Sequence, residues 1–181
     1  MLNNRRGVLR KLVLGAAANL FVAPKVFSKT YLNTPQAQKA LWGDVKMTAI
    51  PLTLSSQQAK LIKTASKVRV RRKNLKIWKT ESGGWFIVDN VIGKHENIDY
   101  AVALTEKGKV KGIEIMVYRE TYGHQIMNPK WRAQFNGRGH ESILKLDKQI
   151  KNISGATLSC RHITDGINRL VQTWKIVISK I

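Results

Sequence analysis

The residues best suited to chemistry lie in one short motif at the predicted start of a helix. The motif reads Ser154-Gly155-Ala156-Thr157-Leu158-Ser159. The free backbone N–H groups and the positive dipole end of a helix start favour an anion. Small side chains before the Thr157 hydroxyl would let a phosphate approach the backbone, and that hydroxyl could form a phosphoester. Without further context, a plain serine cap is the simpler interpretation.

The helix that follows the motif is the clearest element of the sequence. Its apolar residues recur at three- and four-residue steps, which places them on one helix face. They are Cys160, Ile163, Ile167, Leu170, Val171, Trp174 and Ile178. The motif is therefore expected at the N-terminus of a long C-terminal helix.

The middle of the chain predicts an antiparallel sheet. Strand-like segments at 67–80, 85–92, 100–104 and 110–117 follow one another, with turns and no long helix between them. Four consecutive strands of this kind favour a meander with flanking helices, and the fold class is therefore α+β.

Two short helices are predicted before the sheet. The first should begin at Asn33-Thr34-Pro35, with a capping hydroxyl followed by proline at the first helical position, and should end near Trp42. The second should run from Ser55 to about residue 65.

A second segment, downstream of the predicted sheet, has the mixture of glycines, aromatics and charges that is typical of a functional loop. Periodicity fades between residues 118 and about 147. The segment contains Tyr118-Arg119-Glu120-Thr121-Tyr122-Gly123, then Trp131, then Gln134-Phe135-Asn136-Gly137.

Together the loop block and the helix-start motif resemble the FMN-binding domain family, over roughly residues 84–170. That family includes the peripheral subunits of sodium-pumping NADH:quinone oxidoreductase and of the Rnf electron-transport complex. In the family, the threonine that closes Ser/Thr-Gly-Ala-Thr is esterified to FMN phosphate by a flavin transferase that uses FAD outside the cytoplasm. The resemblance implies covalent FMN on Thr157.

The resemblance also implies a cofactor site and a role. The implied FMN-binding residues are Thr157, Ser154, Gly155, Ala156, Leu158, Ser159, Glu120, Thr121, Gly123 and Trp131. The implied function is electron transfer between a membrane or periplasmic donor and an acceptor, without catalytic residues. The alternative is a flavin-dependent reductase with its own small substrate and a proton donor such as His124 or Tyr122. Two positions depart from the family, with Lys151 in place of an aspartate and Tyr122 in place of a proline.

The first 28 residues have the composition of an export signal. A basic stretch with Arg5 and Arg6 precedes an apolar run of about a dozen residues, short of the roughly 20 that a bilayer span needs. The paired arginines resemble a twin-arginine signal. A basic amphipathic anchor or an ordinary first helix is the alternative. We therefore expect a signal at 1–28, an FMN-binding domain at 29–181, a periplasmic or membrane-associated location, and no stable membrane span after processing.

The chain is strongly basic, with 32 Lys and Arg against 11 Asp and Glu and a formal charge of +21. Five basic residues and no acid lie in 1–28, so residues 29–181 still carry +16. Nine basic residues and no acid lie in 60–79, which indicates either a charge-protected strand edge or a docking surface for an acidic redox partner. Under the docking interpretation, reversing Arg71 and Arg72 should slow electron transfer. A nucleic-acid or anionic-lipid binding module is the weaker alternative, because no nucleic-acid motif is recognisable.

Other candidate groups carry less information. Cys160 and His162 are two residues apart on the predicted helix and so do not face each other, which favours a buried structural role for the cysteine. A single cysteine also excludes an intrachain disulfide. The histidines His95, His124, His140 and His162 show no metal-type spacing, so no metal site is expected.

Overall fold

One antiparallel sheet organises the part of the chain that the structure, a computed structural model, describes, namely residues 29–181. The predicted export signal at 1–28 lies outside the described residues. The sheet has the strand order β1-β6-β5-β4-β3-β2. Its strands are β1 (Lys29–Thr30), β2 (Met47–Thr53), β3 (Asn74–Thr80), β4 (Trp85–Ile92), β5 (Asn97–Leu104) and β6 (Val110–Tyr118).

Helices pack against both faces of this sheet. They are α1 (Thr34–Trp42), α2 (Ser56–Ser66), the single turn α3 (Pro129–Arg132) and the long α4 (Thr157–Ile176). None of the helices within residues 29–181 is long and apolar enough to span a bilayer. The predicted α+β class, the meander and the long C-terminal helix that starts at the motif are confirmed.

Alternation along the strands divides the core into two layers. On the α4 face, Ile87 and Val102 pack against Ile163 and Ile167 of the helix. On the opposite face, Phe86 and its neighbours pack against α1. Full burial of such side chains contributes about 1.5–3 kcal/mol each, so the sheet and α4 form a rigid support for the start of that helix.

A buried ion pair also fixes α4 to the sheet. Arg169 of α4 donates to the carboxylate of Asp89 on β4, and the Tyr100 hydroxyl donates to the same oxygen at 3.2 Å. Burial, followed by the nearby Asp89 charge, raises the pKa of Tyr100 well above its usual value, so this hydroxyl stays a donor. The network joins three elements in one place.

The sequence missed or misplaced some elements. The strand predicted at 67–80 begins only at Asn74, because Lys67 ends α2 in the left-handed conformation (φ 62°) and residues 67–73 form a loop. Strand β2 was not predicted. It is an edge strand that pairs only with β3. Pro51 has no N–H to donate, and this is tolerated because an edge strand has no neighbour on its other side.

The predicted cap of α1 was wrong by one residue. The cap is Asn33, whose side-chain oxygen accepts from the Gln36 amide, while the Gln36 side chain accepts from the Asn33 amide. Thr34 is instead the first helical residue. This reciprocal pairing is the capping box, which an Asn with a Gln three residues later forms as readily as a hydroxyl would.

Candidate functional site

The start of α4 differs from the starts of α1 and α2. Asn33 caps α1 and Ser55 caps α2, each in a capping box. At α4 the N-cap is Ala156, and no side chain of the described residues caps the helix. The first N–H groups of a helix have no partner within it, so those of residues 157–159 point outwards from the helix end and can receive an anion.

The glycine of the motif shapes this helix start. Gly155 has φ +80°, in the region that favours glycine, and a Cβ built there would meet no atom within 4 Å. The space beside the backbone is therefore open, as a phosphate group would require. The backbone just upstream is fixed, because Trp131 donates its indole N–H to the Lys151 carbonyl and Gln134 accepts from the Lys151 amide, each at 2.8 Å.

Thr157 occupies the first position of the helix. Its hydroxyl accepts a hydrogen bond from the Asn152 side-chain amide at 3.2 Å, and the residue is partly exposed. The contact orients the oxygen without burying it. Sequence reasoning did not single out Asn152, although a side-chain amide five residues before the threonine was visible in the chain.

The loop after β6 is attached to the turn between β4 and β5. Glu120 accepts from the backbone amides of His95 at 2.6 Å and Glu96 at 2.9 Å. A Cβ at Gly93 would lie 2.4 Å from the same Glu120 oxygen, so the close contact requires glycine there. Glu120 therefore holds the 93–96 turn against the loop.

Hydroxyl groups join the same loop to α4. Tyr118 donates to the Tyr122 carbonyl, and its oxygen lies 3.0 Å from the Ser159 hydroxyl. At Gly123, where φ is +92°, a Cβ would lie 2.5 Å from the Tyr118 hydroxyl and 3.5 Å from the Ala156 Cα. The absence of a side chain at Gly123 lets the loop lie directly against the helix start.

The loop, the turn and the helix start enclose one cavity of about 500 Å³. Its lining residues are Lys94, His95, Glu120, Thr121, Tyr122, Gly155, Ala156, Thr157, Leu158 and Ser159. The two sequence blocks, more than thirty residues apart, thus meet around a single space. Volumes of 300–1,000 Å³ are usual for cofactor sites.

Seven of the ten FMN-binding residues expected from the sequence line this cavity, and three do not. Gly123 lies behind it against Tyr118, and Ser154 is exposed just before Gly155. Trp131 is buried in the core, where it packs edge-on against Phe135 and holds the Lys151 carbonyl. The direct contact of these three residues with a flavin stays a prediction.

The structure adds Lys94 to the site, a residue that the sequence did not indicate. Lys94 and His95 lie on the 93–96 turn, and long-range contacts of Glu120 and of His162 hold that turn near the start of α4. Of the other candidates, His124 is exposed and does not line the cavity, while His162 contacts the Gly93 carbonyl at 3.1 Å.

Cys160 has the buried position expected for a core residue. It is fully buried one turn into α4, and burial raises the pKa of its thiol, which disfavours the reactive thiolate. Within residues 29–181, no group of His, Cys, Asp or Glu side chains is arranged to hold a metal ion.

The residues present fit a phosphorylated flavin. An uncapped helix start, an open backbone at Gly155 and the Lys94 cation can together receive a phosphate. The exposed side chains of Tyr122 and Leu158 supply apolar surface at the same cavity, suited to an aromatic ring. The fold and this site define an α+β domain with a cavity that could receive a phosphate-bearing cofactor.

Comparison with known proteins finds a similar family and a similar solved structure. Residues 93–172 match the family model of the FMN-binding domain, which confirms the resemblance seen in the sequence and includes both blocks of the site. A crystal structure of Shewanella oneidensis NqrC is similar over 71% of this chain and 68% of that one, with 16% identity and a TM-score of 0.47. No curated protein gives a significant match.

Proposed function

We propose that this protein is a covalent flavoprotein, with FMN joined to Thr157 through a phosphoester, that carries electrons between redox partners. The observation that carries the proposal is the cavity itself. Glu120, Thr121 and residues 155–159 converge there, inside the segment that matches the FMN-binding domain. The threonine hydroxyl lies where helix N–H groups without a side-chain cap adjoin the open backbone of Gly155.

Each residue of the site has a chemical part in this proposal. The backbone N–H groups of residues 157–159 hold the phosphate oxygens, and Lys94 balances their charge. Thr157 would receive the FMN phosphate from FAD. A bond would form between the Thr157 oxygen and phosphorus, the bond between the two phosphates of FAD would break, and AMP would leave with the hydroxyl proton. Asn152 orients that oxygen towards the open side. The transferase that uses FAD is a required partner.

Electron transfer fits the exposure of the site. When bound, the flavin supplies one- and two-electron chemistry, while the protein sets its exposure and surroundings. The cavity is lined by side chains that remain exposed, including Tyr122 at 80% and Leu158 at 39%. A redox partner could therefore approach the cofactor closely, in keeping with a carrier.

Intact mass tests the attachment site. Coexpression of the exported chain with a flavin transferase should add the mass of one FMN less water, and Thr157→Ala should abolish it. Thr64→Ala is the matched control, since Thr64 is an exposed threonine of α2 outside the motif, and it should keep the adduct. Covalent flavin that persists in Thr157→Ala would place the ester elsewhere.

A periplasmic location belongs to the same proposal. Its support is the twin-arginine pattern at Arg5 and Arg6 and the need to retain a cofactor outside the cytoplasm. Arg5→Lys together with Arg6→Lys should leave precursor in the cytoplasm, as fractionation and immunoblotting would show. Unchanged export would assign the general secretory route instead.

One observation favours a second candidate, a flavin-dependent reductase with its own small substrate. Tyr122, which was expected as a proton donor, lines the cavity with its side chain exposed. A reductase should turn over small acceptors without a protein partner, and Tyr122→Phe should lower that turnover at unchanged flavin content. An electron carrier should show neither effect.

A further inference from the structure

A second cavity adjoins the flavin site along α4. Ser159 lines the flavin cavity, and His162 and Asp165, one and two turns further along, line a neighbouring cavity of about 270 Å³. The end of β4 and the turn after it have the same arrangement, because Ile92 lines the second cavity and Lys94 lines the first. The two cavities therefore lie next to each other on this side of the molecule.

Unpaired positive charge surrounds the second cavity. Lys67, Arg69 and Arg71 of the loop after α2 line it, and all three are exposed. Lys94 adds a fourth exposed cation at the flavin cavity. In the part of the chain that the structure describes, none of these four side chains is in an ion pair. Their charge is therefore available to a partner.

Exposed apolar side chains lie on the same surface. Five large hydrophobic residues of the described part are exposed, and three of them, Ile92, Tyr122 and Leu158, line one of these two cavities. An apolar centre with a charged margin is the usual anatomy of a protein interface. Of these five exposed residues only Tyr122 is aromatic, whereas binding of single-stranded nucleic acid uses rows of stacking aromatics.

The basic run at 60–79 divides between two faces of the molecule. Arg71 lines the second cavity beside α4. Lys76 lines a different cavity, on the sheet face opposite α4, because its neighbour Ile77 points into the α4 core. Only part of the run can therefore approach a partner that is positioned over the flavin.

We propose that Lys67, Arg69, Arg71, Ile92, Lys94 and Leu158 form a docking surface for an acidic redox protein. The inference rests on the proposed function, since the flavin at the adjoining cavity would exchange electrons with the docked partner. Charge complementarity raises the rate of encounter, and the apolar centre gives the short-lived complex its contact area. Two acids line these cavities: Asp165, which is only half exposed, and Glu120, whose carboxylate already accepts from the amides of His95 and Glu96.

Stopped-flow reduction of the FMN-loaded protein by reduced flavodoxin, used as an acidic probe, tests the surface. Arg71→Glu should lower the second-order rate about five- to tenfold at low ionic strength, and the loss should shrink as salt rises from 0.1 to about 1 M. Lys76→Glu is the matched control, with the same charge change on the opposite face, and should change the rate less than about twofold. Flavin content is measured first for every variant.

The outcomes separate this inference from the proposed function. Absence of flavin in the wild type would refute the proposed function, and docking would then be followed by NMR shifts of the flavin-free chain with oxidised flavodoxin. Equal slowing by Arg71→Glu and Lys76→Glu would show a net-charge effect and overturn the docking surface. A rate that neither substitution changes would also overturn the docking surface. Tighter binding of a short single-stranded DNA than of flavodoxin at this surface would overturn it as well.

Discussion

The hydroxyl oxygens of Tyr118 and Ser159 lie 3.0 Å apart and join the end of β6 to the first turn of α4. Tyr118 has one proton, which it donates to the Tyr122 carbonyl, so Ser159 must donate to Tyr118. Burial raises the pKa of Tyr118, which keeps the phenol protonated and able to donate. A single chain of hydrogen bonds thus fixes the two sequence blocks of the site to each other.

Tyr118→Phe should impair flavin attachment more than it lowers the stability of the fold. It leaves the Tyr122 carbonyl and the Ser159 hydroxyl without their partner, at a cost of about 1–3 kcal/mol. We expect slower flavin attachment, measured by intact mass against time during exposure to transferase and FAD. Tyr100→Phe is the control, because Tyr100 is bonded to Asp89 in the core and should leave the attachment rate unchanged. Equal attachment rates in wild type and Tyr118→Phe would contradict the positioning role.

The sequence predicted the residues of the site better than the turns and strands around it. The periodicity from Cys160 onwards placed the motif at a helix start, because an apolar stripe on a helix is a local signal. Lys94 could not be found in this way. It reaches the cavity through hydrogen bonds between Glu120 and the amides of residues 95 and 96, and no local pattern encodes a contact across 24 or 25 residues.

The fold was predictable where apolar runs are separated by turns rich in glycine. The central strands β4 to β6 are such runs, because helices cover both faces of the sheet, and they were found. Strand β2 was missed because Pro51 argues against a central strand and its burial is shallow. The loop at 67–73 resembles a strand in sequence because its valines alternate with basic residues, and the sequence therefore predicts it as part of β3.

Gly93→Ala should disturb the turn that carries Lys94. The added methyl would lie 2.4 Å from a Glu120 oxygen that is already held by two backbone amides, so moving it costs those hydrogen bonds. We expect a loss of about 1–2 kcal/mol in the free energy of unfolding, measured with urea. In a Glu120→Ala background, where the clash is absent, the same substitution should cost little. An equal cost in both backgrounds would show that the contact between Gly93 and Glu120 is unimportant.

Asp89→Ala should strongly destabilise the protein. The Asp89 and Arg169 side chains are 17% and 8% exposed, so the substitution would leave the guanidinium buried without its counter-charge. The expected cost is about 3–5 kcal/mol. Asp99→Ala is the matched control, since its pair with Arg119 is about 30% exposed and should contribute only about 0–1 kcal/mol. Similar urea midpoints for the two variants would contradict a buried role for the Asp89 pair.

Asp165→Asn should stabilise the protein in a pH-dependent way. Burial raises the pKa of Asp165 above its usual value, although His162, Arg161 and Arg169 oppose the shift. The folded state therefore binds the proton more tightly than the unfolded state, and ionising the carboxyl costs stability as pH rises from the unfolded pKa through the folded one. Above that pH range the wild-type carboxylate is charged and partly buried, whereas the amide of the variant is neutral. The variant should therefore be more stable than wild type at pH 7. Below the usual pKa of aspartate both side chains are neutral, and the difference in stability should vanish.

Urea unfolding at pH 7 and pH 3 measures both limits. A stabilisation of the same size at both pH values would mean that the ionisation of Asp165 is not its cause.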